Sequence, residues 1–232
     1  MTLNKADLSY LELYKKLHVK SCPICGGKNA FCQCWRKYNQ EVTKITAGIP
    51  VKFRKYTLKD FTHPELKKQK EVIENYMKSF LENRFNGQCL YLHGTKGTAK
   101  TMSATLILMY ALKNKYSAYY FESLKSCSDM LKSDWDEGTS NLENILESYD
   151  IVAIDNIGKE VITNTNIANS LKSYFSARAN NMLPTLFIAP ISMSKLVNPT
   201  DIDILEYFSE NIKEVNFKGF DYTKAVLTKV KK

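Results

Sequence analysis

The stretch Gly94-Thr95-Lys96-Gly97-Thr98-Ala99-Lys100-Thr101 constrains the fold of this chain more than any other feature. It lies between the apolar run Cys89-Leu90-Tyr91-Leu92 and a strongly apolar segment from Thr101 to Lys113. A strand, a tight loop with inward-facing amides and a helix beginning at a lysine are the parts needed to hold phosphate. Glycines let such a backbone wrap closely, the lysine reaches the β and γ phosphates, and the Ser/Thr hydroxyl holds Mg2+. The predicted ATP contacts are therefore Gly94, Thr95, Lys96, Gly97, Thr98, Ala99, Lys100 and Thr101. Ala99 stands where the pattern G-x-x-x-x-G-K-[ST] has its last glycine. A methyl group is tolerated there if the backbone is right-handed helical, and that conformation is the expectation.

A second acidic motif supports the first. Ile151-Val152-Ala153-Ile154 reads as a buried strand ending in Asp155, where a carboxylate joins Thr101 in holding Mg2+. The next position, where related ATPases place a glutamate to polarise water, is Asn156. An amide orients water but accepts no proton, so hydrolysis is expected to be weak. Glu160 is the nearest alternative base and reads more simply as a solvated loop acid.

Strands and helices alternate through the rest: strand at 117–121, helix at 124–132, helix at 167–180, strand at 185–188 and a last strand at 225–227. That order predicts an α/β fold, a P-loop core with a parallel sheet flanked by helices. His63 to Phe85 reads as one charged helix, and 36–60 as a basic, aromatic linker with a turn at Gly48-Ile49-Pro50. The domain expectation is a helix plus zinc-binding module at 1–47 and the ATPase domain at 48–232.

The small module rests on cysteines. The chain has six, and Cys22, Cys25, Cys32 and Cys34 crowd together while Cys89 and Cys127 stand apart. Four thiolates in a short segment suit a structural Zn2+ site whose binding energy folds the segment. The N-terminus has no apolar signal core, and no apolar run approaches the roughly 18 residues of a membrane span. A cytoplasmic protein with no membrane partner is expected. The net charge of +9 favours an anionic partner. Trp35-Arg36-Lys37-Tyr38 and Lys52-Phe53-Arg54-Lys55-Tyr56 mix aromatic and basic residues as single-strand binders do.

Taken in order, the Cys-x-x-Cys-Gly-Gly and Cys-x-Cys module, Gly48-Ile49-Pro50, Tyr56-Thr57-Leu58-Lys59-Asp60-Phe61, the P-loop, Ile154-Asp155-Asn156-Ile157-Gly158 and Leu183-Pro184-Thr185 resemble bacterial and phage helicase loaders. These are AAA+ proteins of the DnaC/DnaI type, and the resemblance runs from about Cys22 to about Pro190. It implies an ATP-binding loader, phage or mobile-element encoded, that delivers a hexameric replicative DNA helicase onto single-stranded DNA during replication. Self-assembly is a further expectation. The resemblance puts Arg178, at the spacing of the arginine before the family's Pro-Thr strand, beside Asp155 and Asn156 as catalytic. Lys125 and Lys132 fall on a helix that faces DNA in such loaders.

Two departures weigh against efficient hydrolysis. The family's Pro-Thr strand ends in Thr-Ser-Asn, whereas here it ends Ile188-Ala189-Pro190. An arginine finger is expected near Tyr207 to Ile212, where only Glu206, Glu210 and Lys213 stand. The alternatives are a transposition helper ATPase and a non-hydrolysing, ATP-bound adaptor that captures or inhibits a helicase.

Overall fold

The computed structural model describes residues 33–159 and 161–219, together with Cys25 and Asp221. Five strands form one sheet: β1 (Cys89–Gly94), β2 (Ala118–Phe121), β3 (Ile151–Ile154), β4 (Thr185–Ala189) and β5 (Ile212–Phe217). Their order across the sheet is β2-β3-β4-β1-β5, and all neighbours run parallel. Helices α1 (Gln33–Thr46), α2 (Lys67–Lys78), α3 (Phe80–Phe85) and α4 (Lys100–Lys113) precede β2. Then come α5 (Leu124–Glu137), α6 (Asn141–Ser148), α7 (Thr165–Asn180) and α8 (Pro199–Glu206).

The pleat sorts each strand's side chains onto two faces. Leu90, Leu92, Tyr120, Ala153, Leu186 and Ile188 join one core, with α4 and residues of α2 packed on it. Tyr91, Phe121, Val152, Ile154 and Phe187 join the other, under residues of α5 to α8. Both faces are covered, so the central strands are apolar at nearly every position rather than at alternate ones, His93 and Thr185 excepted. Burying each such Leu, Ile or Phe contributes about 1.5–3 kcal/mol. Among the described residues no helix is long and apolar enough to cross a membrane.

Three expectations need correction. Residues 36–60 are not a linker, because α1 lays Val42 and Ile45 into the protein and Ala47 and Ile49 are buried in the main core. Tyr120 N donates to Ala47 O at 2.9 Å, which covers the free edge of β2 there. The boundary at 47/48 therefore cuts through packed structure. The helix expected over 63–85 opens with a single turn at Pro64–Leu66 and breaks at Ser79, where Ser79 N bonds Asn75 O and Asn83 N bonds Ser79 O. The strand expected at 225–227, the helix expected ahead of the cysteine module and Glu160 lie outside the described residues. Among the described residues the strand beside β1 at the edge is β5, paired from Cys89↔Ile212 to Gly94↔Phe217.

Candidate nucleotide site

The strands all point their C-terminal ends at one rim of the sheet, which is where open α/β folds bind ligands. Gly94 closes β1 at that rim with φ 140°. A Cβ there would sit 2.1 Å from Phe217 O, so Gly94 is required by the approach of β5 as well as by the loop. The turn that follows is held internally, with Thr98 fully buried and its hydroxyl donating to Thr95 O at 2.8 Å. Among the described residues no protein acceptor is bonded to the backbone N–H groups of Gly97, Thr98, Ala99, Lys100 or Thr101. These amides lie at the N-terminus of α4, where free donors and the helix dipole favour an anion.

Ala99 is the correction here. It has φ 69° and ψ 17°, in the left-handed region, not the right-handed helical conformation expected from the sequence. Alanine there costs roughly 1–2 kcal/mol in steric strain. Ala99→Gly is expected to stabilise the protein by about 0.5–1 kcal/mol after the greater flexibility of glycine in the unfolded chain is counted. Thermal denaturation should show a rise of about 2 °C in Tm, and a fall would contradict this account of the loop.

Lys100 folds over the loop it follows. Its Nζ donates to Gly94 O at 2.7 Å and Thr95 O at 2.6 Å. Burial pushes its pKa down, partly opposed by Asp155, with Lys159 adding to the depression. Thr101 Oγ1 donates to Asp155 Oδ2 at 2.7 Å, bringing the two predicted Mg2+ ligands together. Thr101 and Asp155 supply hard oxygen donors, the chemistry that Mg2+ selects. The residues present therefore fit a magnesium-bound nucleotide, which would supply positive charge at the phosphate oxygens.

Asn156 adjoins this site but is already engaged. It takes φ 58°, its Nδ2 donates to Glu122 O at 2.8 Å, and Lys159 Nζ donates to its Oδ1. Gly158 N donates to the buried Asp201 at 2.9 Å, which pins the same turn, and burial pushes the Asp201 carboxyl up to about 6. The loop after β4, where Pro190 stands, is anchored too: Tyr91 OH donates to Ile191 O at 3.0 Å and Met193 N to Glu214 Oε1 at 3.0 Å. Glu214 also meets His93, whose pKa burial pushes down.

Arg178 does not join the nucleotide site. It is fully buried near the opposite rim, among residues that precede β3 and begin β4. Its Nη1 donates to Leu146 O and Tyr149 O at 2.9 Å, Nη2 to Pro184 O at 2.7 Å and Nε to Thr185 Oγ1 at 2.8 Å. A guanidinium with four donors bonded inside the core ties the end of α6 to the segments leading into β3 and β4 and reaches no phosphate. A groove of about 430 Å3 between α1 and the start of β2, lined in part by Thr43, Thr46, Lys115 and Ser117, also lies toward that rim and has no part in the nucleotide site.

The sequence motifs missed one member of the site, Tyr120. From β2 its buried hydroxyl donates to Asp155 Oδ2 at 2.8 Å. Only the pairing of β2 with β3 places it there, at Tyr120↔Ala153. The zinc expectation is not matched by any gathered metal-binding group among the described residues. Cys22 and Cys32 lie outside those residues, Cys25 is exposed, and Cys34 falls within α1. The aromatic-basic segment is more packed than the single-strand reading supposed. Phe53 and Tyr56 are half-buried against the core, and Lys52 and Lys55 lie over their rings at 4.8 and 5.8 Å. Lys125 and Lys132 are exposed on α5 and both approach Asp129, at 3.7 and 3.8 Å.

Neither a family model nor a curated protein matches this sequence. Solved structures do. The crystal structure of the DnaC helicase loader superposes with a TM-score of 0.63 at 18% identity, over 73% of this chain and 100% of that one. The crystal structure of DnaI gives 0.59 at 18% identity, over 75% and 94%. This chain shares the fold of the DnaC helicase loader and of DnaI. AMPPCP-bound DnaA from Aquifex aeolicus shares it, with a TM-score of 0.60 at 19% identity over 76% of this chain and 54% of that protein.

Proposed function

We propose that this chain is an ATP-binding helicase loader that uses nucleotide mainly to hold a shape, with slow hydrolysis. The observation that carries the reading is the Thr101–Asp155 contact beside the open amides of the Gly97–Thr101 turn, in a fold shared with DnaC and DnaI. Lys100 and those amides would bind the phosphates, and Thr101 with Asp155 would hold Mg2+. DnaA, which shares the fold, is described bound to AMPPCP and to single-stranded DNA. A hexameric replicative helicase and single-stranded DNA are the partners proposed for this chain, the DNA supported by the net charge of +9. The four-cysteine spacing supports a structural zinc at the start of α1, and the phage or mobile-element origin rests on the departures at Pro190 and near Tyr207 to Ile212.

A specific observation favours the adaptor version of this reading, in which ATP is bound but barely turned over. Asn156 carries an amide where a carboxylate would accept the proton of an attacking water, and that amide already bonds Glu122 O and Lys159. The test combines nucleotide binding, turnover and helicase capture. The full chain should bind Mg-ATP, retain a hexameric replicative helicase in a pull-down and hydrolyse ATP slowly even with helicase and single-stranded DNA present. Removing residues 1–32, which leaves α1 in place, should lose helicase capture but keep nucleotide binding. Absence of helicase capture by the ATP-bound full chain would sink the loader and adaptor readings together, and rapid turnover would sink the slow-hydrolysis version.

A further inference from the structure

The carboxylate of Asp155 receives three protein donors. Thr101 Oγ1 and Tyr120 OH both donate to Oδ2, at 2.7 and 2.8 Å, and Asn156 N donates to Oδ1 at 2.7 Å. An ionised carboxylate offers about four lone-pair sites. Two donors on Oδ2 and one on Oδ1 leave the remaining acceptor capacity on Oδ1. The Tyr120 hydroxyl makes that difference, because without it both oxygens would carry one donor each.

Tyr120 is held so that it can do this reliably. Its ring is buried in the core on the α4 face of the sheet, and its backbone N–H donates to Ala47 O at 2.9 Å. The pairing Phe121↔Ile154 and the bond from Asp155 N to Phe121 O at 3.0 Å lock β2 against the start of the acidic loop. A phenol fixed by backbone on both sides presents its O–H to one oxygen of one acid.

We propose that Tyr120 is a positioning residue for magnesium-bound nucleotide, selecting which oxygen of Asp155 is left for the metal's coordination shell. The proposal rests on the nucleotide reading above. Groups that orient a metal's carboxylate from outside its coordination shell commonly control affinity by about 10–100-fold when removed. Tyr120→Phe keeps the ring and deletes only the hydroxyl.

The experiment titrates the full chain with a fluorescent ATP analogue at a series of Mg2+ concentrations and again in EDTA. Tyr120→Phe should raise the Mg2+ concentration for half-maximal binding by about 10-fold and leave the affinity measured in EDTA unchanged. In an Asp155→Asn background the same change should have no further effect on the Mg2+ dependence, since the hydroxyl acts through that acid. Equal losses with and without Mg2+, or an unaltered Mg2+ response, would overturn the proposal and assign Tyr120 to packing alone. A wild-type chain that binds no nucleotide overturns the underlying reading instead, so the two failures are separable.

Discussion

Replacing Arg178 with methionine is expected to lower the melting temperature by about 8–16 °C, at roughly 2–4 °C for each kcal/mol in a domain of this size. Methionine fills much of the volume but donates nothing. The Leu146 and Tyr149 carbonyls would lose their donor, while Pro184 O keeps Val152 N–H and the Thr185 hydroxyl keeps Leu183 O. Each unsatisfied buried polar group costs about 1–3 kcal/mol, so two of them place the loss at about 4 kcal/mol. Burial pushes the Arg178 pKa down to about 9, so the group still carries its charge at neutral pH. Arg178→Lys should not rescue it, because a single ammonium cannot replace a planar fork aimed at four acceptors. Differential scanning fluorimetry measures the drop. At temperatures where the variant remains folded, its ATP affinity should match wild type. The reverse pattern, an unchanged Tm with lost ATP hydrolysis, would return Arg178 to the catalytic role its sequence position suggested.

Lys100→Ala is expected to do the opposite, weakening ATP binding by about 100-fold with little change in Tm. The magnitude follows from a charge-assisted contact of up to about 3 kcal/mol and 1.4 kcal/mol for each tenfold step in affinity. Stability should barely move, because Lys100 is part-exposed at the rim and the carbonyls of Gly94 and Thr95 that it bonds can turn to water. Isothermal titration with Mg-ATP distinguishes the outcomes, and an unchanged affinity would remove the loop from nucleotide binding altogether. The pair of variants separates two basic residues that sequence reasoning had placed in one site.

The contrast shows why one residue was legible and the other was not. Lys100 sits within a local pattern, a strand, a loop and a helix in series, so its environment is written within a few residues of it. Arg178 is defined by contacts with residues 146, 149, 184 and 185, gathered from two other parts of the chain. The same holds for whole elements. β1, β3 and β4 were readable because continuous apolar runs signal burial on both faces. β5 was missed because it is an edge strand with Lys213, Glu214 and Asn216 outside and only Val215 and Phe217 buried. Helix α6 was missed because its start is set by Asp134, which accepts from Leu142 N at 2.8 Å and Asn141 Nδ2 at 2.8 Å from the preceding helix.

By itself, then, the amino-acid order determined the parallel α/β core, the strand-loop-helix around Gly94 to Thr101 and the pairing of Thr101 with Asp155. Each of these depends on short-range periodicity or on a motif whose chemistry is local. Only the tertiary structure decided that Ala99 is left-handed, that the Asn156 amide is already occupied, that Arg178 is a core tie and that Tyr120 belongs with Asp155. Those four depend on what packing brings beside each residue, and hydrogen bonds between distant segments leave no periodic trace along the chain.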